Sequence, residues 1–191
     1  MPRSRTTARL LAVTALAATA VTGPLAIEAS AAPAAPTSCA YGVAATRTAD
    51  PHAQVKKTCF ATFAEALGFA TRGRVSVARS AATVSSATLI AGGVIGPDAA
   101  QPLLGIEYFD SSYGGSSDVY YGTTGSGCSS GAVYGFPVVR HNDTYSSSAG
   151  YSSCGGDHYE NGSYGGADLQ CNNNCANLGL LNDRTSSIVY R

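Results

Sequence analysis

The chain has 191 residues and balances twelve Lys and Arg against twelve Asp and Glu, but unevenly. From Ala32 to Asp98 six basic residues face three acidic ones, whereas Ala99 to Arg191 holds three against eight, so the halves sum to about +3 and −5. An acidic second half disfavours nucleic acid and suits a cation, and no segment after the leader offers the ~20 apolar residues of a membrane-spanning helix.

The leader comes first. Arg3, Arg5 and Arg9 precede an apolar run from Leu10 to about Ile27, broken by Gly23 and Pro24 and followed by the small residues Ala29, Ser30 and Ala31. This pattern predicts a signal peptide over residues 1–31, a mature chain starting near Ala32, and a secreted, extracellular, soluble product. A membrane anchor would need a longer, unbroken run. The mature chain could be one domain or two small ones; the charge division suggests two.

All six cysteines, Cys39, Cys59, Cys128, Cys154, Cys171 and Cys175, follow the leader. Their even number and an oxidising compartment predict three disulfides. Six cysteines allow fifteen connectivities. Two lie in the first half and four in the second, so the simplest pairing joins Cys39 to Cys59, Cys128 to Cys154 and Cys171 to Cys175. Zinc is the rival reading of "CNNNC", but no histidine stands at ligand spacing beside it.

An Ala/Pro linker, 32–37, opens the N-terminal region, 32–98. In "TCFATFAEALGFATRG" the residues Phe60, Phe63, Ala64, Leu67 and Ala70 recur at helical spacing, which predicts a helix with Thr58 as N-cap and a stop at Arg72 and Gly73. "RVSVAR" alternates as a strand would, and "SSATLIAGGVIG" reads as a short helix or as a strand ending in glycines. The region is expected to be a small α/β unit; it could be a structural cap, a pro-segment, a partner-binding region or an inhibitor appendage.

The C-terminal region, 103–191, has another composition. Ten of the eleven tyrosines lie beyond Gly105, with most of the Gly, Ser and Asn. Short strands separated by turns are expected, with tyrosines supplying large apolar faces. The region also repeats. "YFDSSYGG" at Tyr108 and "YENGSYGG" at Tyr159 share aromatic-x4-aromatic-x-Gly spacing, and each is followed by Asn-Asp-x-x-Ser-Ser, in "NDTYSS" at Asn142 and "NDRTSS" at Asn182. Two elements alternating in order mark a duplicated unit. The first element suits a hairpin, its glycine supplying positive φ or a close approach. The second suits a loop entering a strand such as "SSIVYR", where Ile188 and Tyr190 share a side; serines of turn-forming type there can hydrogen-bond nearby backbone.

These motifs resemble the βγ-crystallin domain, whose Greek keys carry the aromatic hairpin and, in microbial calcium-binding members, an (Asn/Asp)-(Asn/Asp)-x-x-(Ser/Thr)-Ser loop. The resemblance covers about half of the mature chain. It implies a mainly β fold, a two-Greek-key sandwich preceded by the small α/β region, with two calcium sites shared between the keys. In such domains the third loop position gives a backbone carbonyl and the fifth a side-chain oxygen, which here are Thr144 and Arg184, and Ser146 and Ser186. Asn142, Asp143, Asn182 and Asp183 would order the loops or add oxygens, and Phe109 and Glu160, after the first hairpin aromatic, would add carbonyls. The donor chemistry agrees, since calcium takes six to eight hard oxygens. With few carboxylates per site, a dissociation constant on the order of 10⁻⁶ to 10⁻³ M is expected. The first key is eleven residues longer than the second between hairpin and loop, which places an enlarged loop around "YGTTGSGCSSG".

Catalysis finds little support. The histidines are His52, His141 and His158; no "HExxH" occurs, and paired cysteines leave no thiolate. The expectation is a calcium-binding, non-enzymatic monomer. The alternative is a proteinase inhibitor, since the whole chain also resembles secreted microbial metalloproteinase inhibitors of this fold. An extracellular protease would then be the partner, met by the loop 122–131 or by "CNNNC". A third class, glycan or cell-wall contact through clustered tyrosines, is also open.

Overall fold

The aromatic hairpins set the architecture. In the computed structural model, residues 37–96 and 99–191 are described; the expected signal peptide lies outside them. Strand β3 (Leu103–Asp110) turns through a single 3-10 turn at Ser111–Tyr113 into β4 (Gly114–Gly122). The second copy repeats this with β7 (Gly156–Asn161), Gly162–Tyr164 and β8 (Gly165–Cys171). In both turns two successive non-glycine residues are left-handed, Ser112 and Tyr113 at φ 59° and 64°, and Ser163 and Tyr164 at 55° and 63°. The following Gly115 and Gly166, at φ 71° and 80°, provide the positive φ that the spacing predicts.

Each hairpin is completed by two short strands, β5 (Tyr134–Phe136) and β6 (Ser147–Gly150) in the first key, β9 (Asn174–Cys175) and β10 (Ser187–Tyr190) in the second. The third strand of each key crosses to the sheet of the other, β5 joining β10-β7-β8 and β9 joining β4-β3-β6. Two Greek keys thus interlock into one sandwich, mainly β as expected. The inner core lies between the sheets and includes Leu104, Tyr120, Phe136, Tyr145, Ile188 and Tyr190. Ile188 and Tyr190 do share its side.

The N-terminal region extends this sandwich. Strands β1 (Ser38–Val43) and β2 (Lys56–Phe60) add to the first sheet, giving the order β2-β1-β4-β3-β6-β9, with β1 parallel to β4. Every residue of β1 is buried: Cys39, Tyr41 and Val43 point to the inner core, and Ala40 to a second core under α1 (Phe63–Ala70) and α2 (Ser86–Ala91). The larger sheet is therefore covered on both faces, which explains the nearly continuous apolar run of "LLGIEY". A register shift between Leu103 and Gly105 turns Leu104 inward while Leu103 and Ile106 face the helices. At Gly105 a Cβ would lie 2.3 Å from the Tyr190 hydroxyl, so the crossing of that ring requires glycine.

Two local expectations are corrected. The N-cap of α1 is Thr62, not Thr58: its side chain accepts from Glu65 N while the Glu65 carboxylate accepts from Thr62 N. Thr58, Cys59 and Phe60 belong to β2, where Cys59 stands opposite Cys39. The helical face is Phe63, Ala66, Leu67 and Ala70. "RVSVAR" pairs with no strand; Val75 inserts into the outer core, and Arg74 donates to the carbonyls of Gly93 (2.9 Å) and Gln101 (3.3 Å). "SSATLIAGGVIG", open between helix and strand, supplies α2, capped by the Ser85 hydroxyl. The disulfides are Cys39–Cys59, Cys128–Cys154 and Cys171–Cys175, the simplest pairing, and they exclude a thiolate zinc site at "CNNNC".

Candidate metal centre

The two Asn-Asp-x-x-Ser-Ser loops face one another as a crossed pair. Asp143 N donates to Thr185 O at 3.1 Å, and Asp183 N donates to Tyr145 O at 2.9 Å. The side chains cross in the same sense, Ser146 Oγ donating to Asp183 Oδ1 at 3.1 Å and Ser186 Oγ to Asp143 Oδ1 at 3.5 Å. Within each loop the asparagine holds its neighbour, Asn142 Nδ2 to Asp143 Oδ2 at 2.6 Å and Asn182 Nδ2 to Asp183 Oδ2 at 2.9 Å. Both aspartates are left-handed, φ 58° and 55°, a conformation that Asp and Asn tolerate better than other side chains. The first two loop positions therefore shape the bend and carry the carboxylates.

The last serine of each loop ties it to the hairpin of its own key. Ser147 Oγ donates to Asp110 O at 2.7 Å and accepts from Tyr113 N at 2.9 Å. Ser187 Oγ donates to Asn161 O at 2.7 Å and accepts from Tyr164 N at 3.0 Å. Ser146 N and Ser186 N bond to the carbonyls of Tyr108 and Tyr159, at 2.8 and 2.9 Å, which brings Phe109 and Glu160 beside the loops.

What the loops leave free is informative. The carbonyls of Tyr145, Ser146, Thr185 and Ser186 all accept backbone donors. Those of the third positions, Thr144 and Arg184, accept none among the described residues. Thr144 is half-buried, while Asp143, Asp183 and Arg184 are exposed. The expected ligand residues are thus brought into one face that offers carboxylate, hydroxyl and unspent carbonyl oxygens. That donor set fits a hard divalent cation and offers nothing to a soft one.

The copies differ at one edge. Arg184 is ion-paired with Glu160, whose other oxygen accepts from Ala167 N at 3.2 Å. In the first copy Phe109 stands in place of Glu160, its ring 4.8 Å from that of His141 and 5.8 Å from that of Tyr145.

Sequence reasoning missed what supports the first loop. Asp118, fully buried on β4, accepts from Cys39 N at 2.6 Å, Tyr145 Oη at 2.5 Å and His141 Nδ1 at 2.7 Å. Because Tyr145 donates to Asp118, Tyr120 donates to Tyr145, at 2.8 Å. Burial, the neighbouring phenols and the Asp118 carboxylate push the Tyr145 hydroxyl well above its ordinary range, so the chain of donors stays protonated. Asp118, His141 and Cys39 lie close together, but the Cys39 sulfur is committed to its disulfide, and the group reads as a hydrogen-bonded anchor. A second buried carboxylate, Glu107, stands opposite Asp118 on β3 and is held by Ser148 (2.8 Å), Tyr190 (2.5 Å) and His158 (2.9 Å). The pair of His158 and Glu107 lies between the sheets with both side chains fully buried. For Glu107 the sequence signal was an acid inside an apolar run, "LLGIEY"; Asp118, preceded by Ser116 and Ser117, carried no such signal.

No family model and no curated protein matches the chain. Among solved structures it is similar to a βγ-crystallin domain from Flavobacterium johnsoniae, at 23% identity, with 46% of this chain and 93% of that chain covered and a TM-score of 0.36. It is similar also to the N-terminal domain of Protein S, at 18% identity, 46% and 94% coverage and a TM-score of 0.37. A βγ-crystallin domain from Clostridium beijerinckii gives 21% identity, 46% and 95% coverage and a TM-score of 0.36. The likeness spans less than half of this chain, and what the paired loops do rests on their own residues.

Proposed function

We propose that the crossed loops bind two calcium ions and that the protein is a secreted, disulfide-stabilised calcium-binding module. The observation that carries this reading is the pair of unspent carbonyls, Thr144 and Arg184, beside the crossed pairs Asp183–Ser146 and Asp143–Ser186. Phe109, Glu160, Asn142 and Asn182 complete the candidate set. An ion in either place would draw oxygens from both loops and convert hydrogen bonds that now close the face into metal bonds. Binding at a hundred times the dissociation constant would stabilise the fold by about 2.7 kcal/mol per site. The function is binding rather than catalysis, in a monomer.

Calorimetry on the mature protein, 32–191, tests this. Calcium should release heat and raise Tm, and the double variant Ser146→Ala, Ser186→Ala should lose both effects while keeping its fold. Neither heat nor a thermal shift at millimolar calcium would sink the proposal.

A second reading, inhibition of an extracellular protease, draws on one feature. The Cys171–Cys175 disulfide closes a tight turn whose Asn172, Asn173 and Asn174 are all exposed, a preorganised loop. The enlarged loop is less suited, since its Gly127 and Cys128 are buried and Gly127 N bonds to the Tyr134 hydroxyl. Titration against thermolysin-like and subtilisin-like proteases separates the readings: calcium-independent nanomolar inhibition favours the inhibitor.

A further inference from the structure

We propose that the cleft between the C-terminal end of α1 and edge strand β2 binds a small ring-bearing anion, of which a uronic acid is the type, with Arg72 and Lys56 as its cationic contacts. The cleft has a volume of about 300 Å³ and is lined by Lys56, Phe69, Arg72, Gln101, Tyr121 and Thr123. That is the lower end of the ~300–1,000 Å³ range of small-molecule pockets, enough for one sugar-sized group.

Charge comes first. The lining holds two cations and no carboxylate, and among the described residues neither Lys56 nor Arg72 forms an ion pair. Two other arginines of the region are engaged: Arg79 pairs with Glu65 at 3.2 Å, and Arg74 donates to three carbonyls. An Arg fork matches a carboxylate bidentately, and a lysine adds a point charge.

Backbone conformation is the second, independent observation. Helix α1 ends in a Schellman arrangement, Gly73 N bonding to Gly68 O at 2.8 Å and Arg72 N to Phe69 O at 3.1 Å. Arg72 occupies the left-handed position of that motif, φ 53°, where glycine is the usual and less strained residue. Strain of this kind persists where a side chain is needed at a particular place. Here it sets the guanidinium at the cleft, near enough to the Tyr121 phenol to oppose the rise that burial imposes on it.

The remaining lining specifies a ring. Phe69 is 45% exposed, presents its ring to the cleft, and meets Tyr121 edge-on at 6.4 Å. The Gln101 amide is fixed by donating to Ala70 O at 2.5 Å, and its Oε1 accepts no hydrogen bond among the described residues. An apolar face, a fixed amide oxygen and the Thr123 hydroxyl suit a ring carrying hydroxyls; two cations suit a carboxylate on it. A role confined to countering the partial negative charge of the α1 C-terminus would also favour cations here, but would need neither the strained arginine nor Phe69 in solvent.

NMR titration of the mature protein in calcium-free buffer, with glucuronate, glucose and inorganic phosphate as probes, tests the site. Glucuronate should shift the amides of residues 56, 69–73, 101 and 121–123 saturably, more weakly as salt is raised, and glucose should not. Arg72→Gly should weaken glucuronate binding about tenfold or more while leaving Tm at or above that of the parent, and Lys56→Gln should weaken it comparably. Phe69→Ala should weaken glucuronate but not phosphate. The proposal is overturned if glucuronate gives no saturable shift, if Arg72→Gly binds it unchanged, or if phosphate binds as well as glucuronate and Phe69→Ala affects neither.

Discussion

Ser146 donates to Asp183, in the opposite loop, and not to the aspartate of its own. With Ser186 reaching Asp143, neither half of the proposed metal face belongs to one key alone. Asp183→Asn should therefore lower calcium affinity at both sites, whereas independent sites would lose one and keep the other. Asp183 is exposed, so stability without calcium should move by no more than about 0.5 kcal/mol. Two-site calorimetry reads both quantities; one lost site beside an unaltered second would break the coupling.

Ser147 and Ser187 should matter more to the apo fold than Ser146 and Ser186. Each is fully buried and bridges two backbone groups of its hairpin, accepting from Tyr113 N or Tyr164 N and donating to Asp110 O or Asn161 O. Alanine leaves both groups unpaired, at about 2–3 kcal/mol per substitution. Urea unfolding of the single variants measures this; a loss below that for Ser146→Ala would contradict the bridging role.

The duplicated motifs were legible because turn chemistry is local: the same spacing required the same left-handed residues, and Gly115 and Gly166 have them. The crossing of the loops was not, because it depends on β5 and β9 changing sheets, which short strands of three and two residues hardly mark in sequence. The N-cap of α1 was misplaced for a related reason. "TCF" is compatible with either a helix start or a strand, and the choice is made by the partner strand carrying Cys39. Asp118 and Glu107 were invisible as anchors because their partners come from other elements: β1 and the first loop for one, β6, β7 and β10 for the other.

Alkaline pH should unfold the protein cooperatively. Burial, first of all, raises Tyr120, Tyr145 and Tyr190 well above the ordinary tyrosine range. An acid raised in the folded state keeps its proton there after the unfolded chain has lost it. Stability is therefore unaffected by these groups below about pH 10 and falls above it, by roughly 1.4 kcal/mol per pH unit for each, or about 4 for the three together. Tyrosinate absorbance and circular dichroism followed together check this: the three should ionise with loss of structure, and their ionisation in a folded protein would refute it.

The Cys39–Cys59 disulfide should couple the N-terminal strands to the proposed metal face. It closes a separation of 20 residues, against 4 for Cys171–Cys175, so chain entropy assigns it about 3 kcal/mol against about 2. Its further effect follows from position. Cys39 N bonds to one oxygen of Asp118, whose other oxygen holds Tyr145 and His141, directly before Asn142. Loosening β1 removes one of three donors from a buried carboxylate and frees the base of the first loop. The variant Cys39→Ser, Cys59→Ser should therefore lose calcium affinity as well as stability. Removing the 171–175 bridge should cost stability with a smaller effect on binding, since that turn lies on β8 and β9, away from Asp118. Calorimetry on both variants at a temperature where each remains folded distinguishes them; equal calcium affinity in the two would sever the link from β1 through Asp118 to the loop.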